Sequence, residues 1–561
     1  MKKQEKIKIQ RVHFIGICGT AMAPIAKMMK DMGFEVTGSD KGFFPPVSLY
    51  LKKNKLNIEL GYKKEHITRS IDFVVIGNAV AENNEEVQEV MRRKIPYYSY
   101  PEILKKYLVK EESIVIAGEY GKTTITSCVS FIFSQAGLKP SFMFGGVSLN
   151  FKSAVRNDTG SGSNGKISIM EGDEYNSVFY DKRSKFLHYN GKYVLITSLE
   201  WDHVDLFPTF NDYVSSFVKL VEGIPEDGVL FLNKDDKNIH YVVGSAKCKI
   251  LYYSYINSVG SGSNGSGSTG SGSVASPDLY IKKVLRKDGY TEFITSDLMR
   301  YKTTLIGKHN LQNLVGAILV AKTFDIPYES LKKSVFAFKG VKRRLEIRYK
   351  DDGVIIIDDF AHSQIKVKTS IDAVSDNFKG SRFKDHKIVA VFEPHTMSVR
   401  NKQTLGWYKG VFNNADKVIV TDIYKGNIVE ESFTPDDIIN IVKKDVKDTV
   451  HVKNQDIAEY LLKNTNKGDI ILFMSSGSFQ GGIDKTLSLF KKARSSRPRS
   501  VGSRSISKGA SYKKLYQCPS CKLHYKNKDW ALKCYSWCIK NNSCNVEITK
   551  YSEERLNRKF G

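Results

Sequence analysis

From Val12 onward, short runs rich in Val and Ile alternate with amphipathic stretches of helical length. Val12-His-Phe-Ile-Gly16, Glu35-Val-Thr-Gly-Ser-Asp40 and Phe73-Val-Val-Ile-Gly77 read as buried strands, and a helix over about residues 21–32 separates the first two. Apolar runs of this length spaced by helices predict a parallel sheet, because parallel neighbours need a crossover connection. The alternation returns with Ile114-Val-Ile-Ala117, Lys166-Ile-Ser-Ile-Met170, Tyr193-Val-Leu-Ile-Thr197 and Gly228-Val-Leu-Phe-Leu232. It returns again with Gly353-Val-Ile-Ile-Ile-Asp358, Lys387-Ile-Val-Ala-Val-Phe392, Lys417-Val-Ile-Val-Thr421 and Asp469-Ile-Ile-Leu-Phe-Met474. Three α/β domains fit this pattern, over residues 1–108, 109–340 and 341–494.

Three stretches break the pattern. Residues 158–165 and 258–276 are dominated by Gly and Ser, which cannot bury a core; both fall inside the second domain and are expected to be surface insertions. The Ser/Arg run over 495–511 is expected to be a linker to a cysteine-rich module over 512–561.

Composition narrows the class. With 561 residues, 41% of them hydrophobic, the chain can bury several cores. No run of about 18 apolar residues predicts a membrane span, and Met1-Lys-Lys-Gln-Glu-Lys6 lacks the apolar segment of a secretory signal, so a cytoplasmic protein is expected. The net charge is +26, and residues 491–561 carry 18 Lys and Arg against 4 Asp and Glu, so more than half of the excess sits on the tail. Of 8 cysteines, Cys18, Cys128 and Cys248 are scattered, whereas Cys518, Cys521, Cys534, Cys538 and Cys544 crowd one stretch. Two thiolate pairs a dozen residues apart suit tetrahedral Zn²⁺: Cys518 and Cys521, then Cys534 and Cys538, with Cys544 or His524 as substitutes. The basic arm and its interleaved Tyr512, Tyr516, Tyr525 and Trp530 either bind nucleic acid or surround a small core.

Two glycine turns carry candidate chemistry. Gly16-Ile-Cys-Gly-Thr-Ala-Met22 follows a strand, opens a helix and is answered by Asp40 from the end of the next strand. Cys18 stands where a dinucleotide fingerprint needs glycine, which disfavours a nicotinamide cofactor. The turn is either a ligand-free connection or, through Gly16, Gly19 and Thr20, a seat for a nucleotide diphosphate on a helix N-terminus. The second turn, Gly118-Glu-Tyr-Gly-Lys-Thr-Thr124, is more specific although Ile116 occupies the first glycine position of the general phosphate-loop pattern. Gly118 and Gly121 frame it, Lys122 can reach a terminal phosphate, and the hydroxyl of Thr123 or Thr124 can join Mg²⁺.

This second turn resembles the A-x-G-T-x-G-K-T-T element of the Mur ligases, ATP-dependent enzymes that build the peptide of the cell-wall precursor. Further similarities follow in order: Glu171-Gly-Asp-Glu-Tyr175, Glu200-Trp-Asp-His-Val-Asp205, Gly307-Lys-His-Asn-Leu-Gln-Asn313, Arg343-Arg-Leu-Glu346, Asp358-Asp-Phe-Ala-His362 and Phe392-Glu-Pro-His395. The resemblance covers roughly residues 10–490. It implies a Rossmann-like first domain, a central phosphate-loop domain and a Rossmann-like third domain, with a zinc-ribbon-like tail added to that pattern. Asp173-Glu-Tyr-Asn-Ser-Val-Phe-Tyr-Asp-Lys-Arg-Ser-Lys-Phe-Leu-His188 is most similar to the branch that attaches a recycled tripeptide to UDP-N-acetylmuramate. The branch that attaches L-alanine is the alternative.

The resemblance implies roles. The muramate carboxylate attacks the ATP γ-phosphate, and an amine then displaces the acyl phosphate. Thr123, Glu171 or Glu174, and His203 correspond to the magnesium site, though a lone histidine such as His203 is also a common core residue. Asn310 and Asn313 correspond to asparagines near the adenine. Arg344 and Asp359 correspond to residues that close on phosphate and ribose. His362 and His395 fall on the substrate side, as do Lys182, Arg183 and Lys185, which composition alone makes a solvated turn. Ser363-Gln364 departs from the usual pair after His362, and Phe217 stands where other branches carry a carbamylated lysine, so none is expected. Glu119-Tyr120 replaces a neutral threonine and its neighbour. An acid in an anion-holding loop is tolerated if the backbone does the holding, so the Glu119 side chain is expected to turn outward or to meet the metal. A different class, a non-catalytic nucleotide- or nucleic-acid-binding protein on this scaffold, is separated from a ligase by phosphate release in the presence of both substrates.

Overall fold

The computed structural model describes residues 9–43, 47–158, 165–201, 206–256, 276–287, 289–351, 353–378, 386–395, 402–423, 433–495, 516–521, 523–525, 528–541, 546–549 and 552. Most of both Gly/Ser stretches, most of the Ser/Arg run, His203, Tyr512 and Cys544 lie outside them. The chain divides into two units, Met1–Lys492 and Ala493–Gly561.

The larger unit holds three main sheets. The first contains β1 (Arg11–Ile15), β2 (Glu35–Asp40), β3 (Asn57–Leu60), β4 (Phe73–Ile76) and β5 (Tyr97–Ser99) in the order β3-β2-β1-β4-β5, all parallel. The second is built on β6 (Glu112–Ala117), β7 (Ser141–Met143), β8 (Val155–Arg156) and β9 (Ile167–Glu171). After a hairpin of β10 (Asn176–Val178) and β11 (Asp181–Ser184), it continues with β12 (Tyr193–Ile196), β13 (Val229–Asn233) and β14 (Lys249–Ser254). It ends in β15 (Leu279–Lys287), β16 (Tyr290–Thr295) and β17 (Arg300–Thr303), giving the order β17-β16-β15-β14-β13-β12-β6-β9-β7-β8. The strands from β15 to β7 run parallel, and β16, β17 and β8 are antiparallel additions at the two edges.

The third sheet contains β18 (Glu346–Lys350), β19 (Val354–Asp359), β20 (Ile388–Phe392), β21 (Lys417–Val420), β22 (Thr449–His451) and β23 (Asp469–Met474). Its order is β18-β19-β23-β20-β21-β22, with only β18 antiparallel. The α/β architecture with parallel sheets matches the sequence expectation.

Period-two side-chain alternation explains why these strands are apolar along their length. In β6, Ile114 and Ile116 join one buried cluster with Ile125, Leu195 and Leu314. Val115 and Ala117 face the other way, into a cluster with Met170, Val194 and Phe217. A strand covered on both faces has no polar side to show. The second of these clusters also takes in Val12, Phe14 and Val75, so the first two sheets share one apolar core. In β19, Ile355 and Ile357 divide from Val354 and Ile356 in the same manner. Among the described residues no helix is long and apolar enough to cross a membrane.

In the smaller unit, β24 (Tyr516–Gln517) pairs with β25 (His524–Tyr525), and the helix Lys528–Asn541 follows.

Phe217 is fully buried, with its ring centroid 5.2 Å from that of Phe186 and 5.0 Å from that of Tyr213. Truncating it removes aromatic contacts that the backbone cannot collapse to replace. Phe217→Ala is expected to lower unfolding stability by about 3–5 kcal/mol, read as a shift of the denaturant midpoint at constant slope. A loss below about 1 kcal/mol would show that this cluster does not support the second sheet.

Candidate active site

β6 lies between β12 and β9, and the glycine turn leaves its carboxyl end to open the helix Lys122–Gln135. Ligands of open parallel sheets gather at such carboxyl ends. Gly118 and Gly121 have φ of +111° and +86°. A Cβ at Gly118 would meet Thr197 Oγ1 at 2.3 Å, and one at Gly121 would meet Asn313 Oδ1 at 2.4 Å, so both positions require glycine for space as well as for conformation. The helix start has no side-chain cap and no acid in its first turn, which leaves its positive end directed at the cleft.

The cleft has a volume of about 740 Å³. Lys122 Nζ donates to Glu174 Oε2 at 2.8 Å, and the Glu174 side chain is 1% exposed. Burial pulls the Lys122 pKa down, but Glu174, Glu119 and Asp173 outweigh it and hold the ammonium above its ordinary value. Thr123 Oγ1 donates to Glu171 Oε1 at 2.8 Å, while the Gly145 N–H donates to Glu171 Oε2 at 2.5 Å. Burial raises the Glu171 carboxyl pKa against the pull of those donors and of Lys122. Burial acts on Asp173 in the same sense, but Lys185 and Lys122 prevail and keep it below the usual carboxylate range. Lys185 Nζ sits 2.6 Å from Asp173 Oδ2 and 5.3 Å from the ring centroids of both Tyr100 and Tyr175.

The third sheet supplies Arg344, Asp359 and His362 to the same cleft. Asp359 already accepts from the Leu345 and Ala361 N–H groups at 2.7 and 2.8 Å and from Ser370 Oγ at 3.0 Å, so it fixes the turn out of β19. His362 Nδ1 lies 2.9 Å from the Phe360 carbonyl, which can only accept; the proton is therefore on Nδ1. Asn310 and Asn313 also line the cleft from the helix Lys308–Thr323, and Asn310 Nδ2 donates to the Ile306 carbonyl at 2.8 Å.

Other expected residues are distributed differently. Gly19, Thr20 and Thr124 reach the cleft. Gly16 and Asp40 are not among the residues lining it; Asp40 Oδ2 accepts from the Cys18 N–H at 2.8 Å and so braces the turn itself. Lys182 lines a second hollow of about 340 Å³ that shares Asn78 and Tyr175 with the cleft. Arg183 folds back onto Asp181 at 2.7 Å. His395 does not line the cleft and packs against Gly477, while His203 is outside the described residues.

One expectation is corrected. Glu119 does not turn to solvent: its side chain is 4% exposed, and Oε1 lies 3.2 Å from Lys366 Nζ on the helix Gln364–Phe378. Lys185, expected on the substrate side, does line the cleft. Residues that sequence reasoning did not assign to the site are Asp173 and Lys366. Asp173 lies inside a recognisable motif; Lys366 carries no local signal, because its partner is 247 positions away.

Descriptions of three consecutive domains of one family match this chain. "Mur ligase family, catalytic domain" covers residues 11–110, "Mur ligase middle domain" 116–321, and "Mur ligase, glutamate ligase domain" 343–477. The chain belongs to the Mur ligase family. It is therefore an ATP-dependent ligase that forms an amide bond. This Mur ligase is 29% identical over 487 residues to the UDP-N-acetylmuramate–L-alanyl-γ-D-glutamyl-meso-2,6-diaminoheptandioate ligase of Escherichia coli, covering 86% of this chain and 99% of that protein. It is also 29% identical over 478 residues to the UDP-N-acetylmuramate–L-alanine ligase of Clostridium acetobutylicum, covering 83% and 95%. Equal identity to both leaves the amine unchosen. In fold it is similar to the crystal structure of a UDP-N-acetylmuramate–alanine ligase from Thermotoga maritima, with a TM-score of 0.68 at 18% identity over 86% of this chain and 99% of that one.

In the tail of this Mur ligase, the Sγ atoms of Cys518, Cys521, Cys534 and Cys538 all lie within 4.8 Å of one another, so the cluster can hold a metal ion. Tyr525 is fully buried beside them, with Tyr516 and Trp530 packed around. That packing favours the small-core reading of these aromatics over an exposed stacking platform.

Within the larger unit, burial and then Arg344 push the His309 pKa down to about 4 from 6.5. Between those values the unfolded chain takes a proton that the folded chain refuses. The stability this residue contributes is thus present above pH 6.5 and falls as pH drops toward 4. Wild type is expected to lose more of its urea midpoint between pH 7.5 and pH 5 than His309→Gln does; equal losses would refute the neutral, buried imidazole.

Proposed function

We propose that this Mur ligase joins the carboxylate of UDP-N-acetylmuramate to the amine of an L-alanyl-initiated peptide, with ATP activating the carboxylate as an acyl phosphate. The observation that carries this reading is the phosphate loop, whose space-forced glycines, charged Lys122 and open helix start face one cleft with residues of the third sheet. The peptide preference rests on the Asp181–Lys185 run, which resembles the tripeptide-adding branch.

The residues fit a magnesium nucleotide. Two hard oxygen donors, Thr123 Oγ1 and Glu171 Oε1, already converge to 2.8 Å, with Glu174 beside them and His203 as a further candidate ligand. When bound, Mg²⁺ supplies positive charge that lets the carboxylate approach the γ-phosphate. Lys122 can turn from Glu174 to a phosphate oxygen without gaining a proton, and the helix N–H groups stabilise the same charge. In this reading Arg344 pairs with phosphate and Asn313 and Asn310 lie at the base, while Asp359 holds Leu345 and Ala361, the chain neighbours of Arg344 and His362. His362, with its proton on Nδ1, offers Nε2 to the ammonium that must lose a proton before it attacks. Gly16, Gly19, Thr20 and Asp40 form the seat for the UDP moiety. Lys182, in the adjoining hollow, meets the substrate in this reading, as do Arg183 and His395.

The test supplies UDP-N-acetylmuramate and compares L-Ala-γ-D-Glu-meso-diaminopimelate with L-alanine. Phosphate release is expected with the tripeptide, and release with L-alanine alone would place the enzyme in the alanine-adding branch. Lys122→Ala is expected to cut kcat by at least about 100-fold, since one such contact in phosphoryl transfer stabilises the transition state by a few kcal/mol. Activity within about tenfold of wild type would remove the loop from the chemistry.

For the tail, the proposal is a structural Zn²⁺ held by four thiolates. Tetrahedral Zn–S bonds of about 2.3 Å set sulfurs about 3.8 Å apart, and the Cys521–Cys534 and Cys534–Cys538 pairs stand at 3.4 and 4.0 Å. One zinc per chain is expected by elemental analysis, lost in Cys518→Ser with a change in Trp530 and Trp537 fluorescence. Full zinc content in that variant would shift the ligand set to Cys544 or His524.

A further inference from the structure

Glu119 and Tyr120 sit in the phosphate loop, yet their backbone does not face the cleft as an anion cradle. The Glu119 N–H donates to the Ser198 carbonyl and the Tyr120 N–H to Ser198 Oγ, both at 3.2 Å, so the end of β12 fixes this half of the loop. Their side chains both meet Lys366, a cation from the helix Gln364–Phe378. Lys366 Nζ is 3.2 Å from Glu119 Oε1 and 5.2 Å from the centroid of the Tyr120 ring.

Lys366 lies in the first turn of the helix that follows β19, between His362 and Ser370, and all of these line the cleft. The contact therefore links the loop of the second sheet to the segment of the third that carries Arg344, Asp359 and His362. It is well shielded, with Lys366 21% and Glu119 4% exposed, so salt and water screen it weakly. A carboxylate left unpaired at this place would repel an incoming triphosphate at short range in a poorly hydrated cleft.

We propose that Lys366 is a positioning residue for ATP: by pairing with Glu119 it neutralises the acid inside the phosphate loop, and it makes the loop's readiness for a triphosphate depend on docking of the third-sheet helix. This rests on the assignment of the cleft to ATP. The acid then acts as a receptor for one residue of the closing segment. Loss of the contact removes that compensation and weakens nucleotide binding; docking of the helix restores it.

The experiment uses the full chain and the Mg²⁺ complex of a non-hydrolysable ATP analogue, with binding by calorimetry and KM for ATP measured beside kcat. Lys366→Ala is expected to weaken binding and raise the KM for ATP by about tenfold or more, the scale of losing one partner of a shielded ion pair. The double variant Lys366→Ala with Glu119→Gln is expected to return to within about threefold of wild type, because no charge is left to repel. If Lys366 contacted phosphate directly, removing Glu119 would give no rescue, and that result overturns the proposal, as does unchanged binding in Lys366→Ala. Should Lys366→Ala fail to fold, the swapped pair Glu119→Lys with Lys366→Glu decides: recovered binding supports the inference and its absence refutes it. A wild-type chain that binds no analogue, or a Lys122→Ala variant that binds it equally well, would refute the ATP assignment itself and this inference with it. With those controls passed, the Lys366 variants judge the inference alone.

Discussion

A lysine proposed to meet phosphates has to arrive charged, and Lys122 arrives with only 13% of its side chain exposed. Removing an ammonium from water costs several kcal/mol unless counter-charges replace the solvent. Around Lys122 those counter-charges are Glu174, Glu119 and Asp173, and their combined field more than offsets burial. Each acid then raises the same problem one step further out. Asp173 is balanced by Lys185 and Glu119 by Lys366. The result is an alternating chain of charges rather than one ion pair, and its last member comes from the third sheet.

That chain exists because parallel strands deliver their carboxyl ends to one edge. β6 brings the loop and Lys122, β9 brings Glu171 and the acids that follow, and β12 ends beside Ser198, which ties down the loop. Parallel sheets must be covered on both faces, so the residues between these ends are almost all apolar and cannot take part in binding. Chemistry is confined to the turns. The glycines of the loop are a further consequence, since Thr197 and Asn313 approach so closely that no side chain fits at Gly118 or Gly121.

The parallel strands were legible because burial on both faces leaves continuous apolar runs. The antiparallel edge was less so: Leu279–Lys287 mixes buried and exposed positions along a half-covered ribbon that follows a Gly/Ser stretch. Within the site, groups held by local geometry could be read. Lys122 and Thr123 belong to a turn whose composition announces its conformation, and Glu171 ends an apolar strand. Long-range charge pairs could not, because no periodicity relates Glu119 to Lys366. Without its partner, an acid in an anion loop reads as a side chain to be turned away; with Lys366 in place it can stay inside. Asp359 shows the same limit, since its oxygens are occupied by N–H and hydroxyl groups that only the folded turn brings to it.

Whole-chain charge is a poor guide to what such a site needs. The chain carries +26, yet among the described residues the charged side chains lining the cleft are five acids, Glu119, Glu171, Asp173, Glu174 and Asp359, against four bases, Lys122, Lys185, Arg344 and Lys366. These described side chains do not gather phosphates by net attraction. Local arrangement has to do it: backbone dipoles at the start of the helix Lys122–Gln135, one lysine kept charged, and acids grouped where a hard cation would complete the balance. On the proposed magnesium site, the acids serve the metal as much as they oppose the nucleotide. Glu119, already in the field of Lys122, meets a further cation in Lys366. That contact exists only when the third-sheet segment is docked, so the charge balance of the cleft and the assembly of its walls become one event.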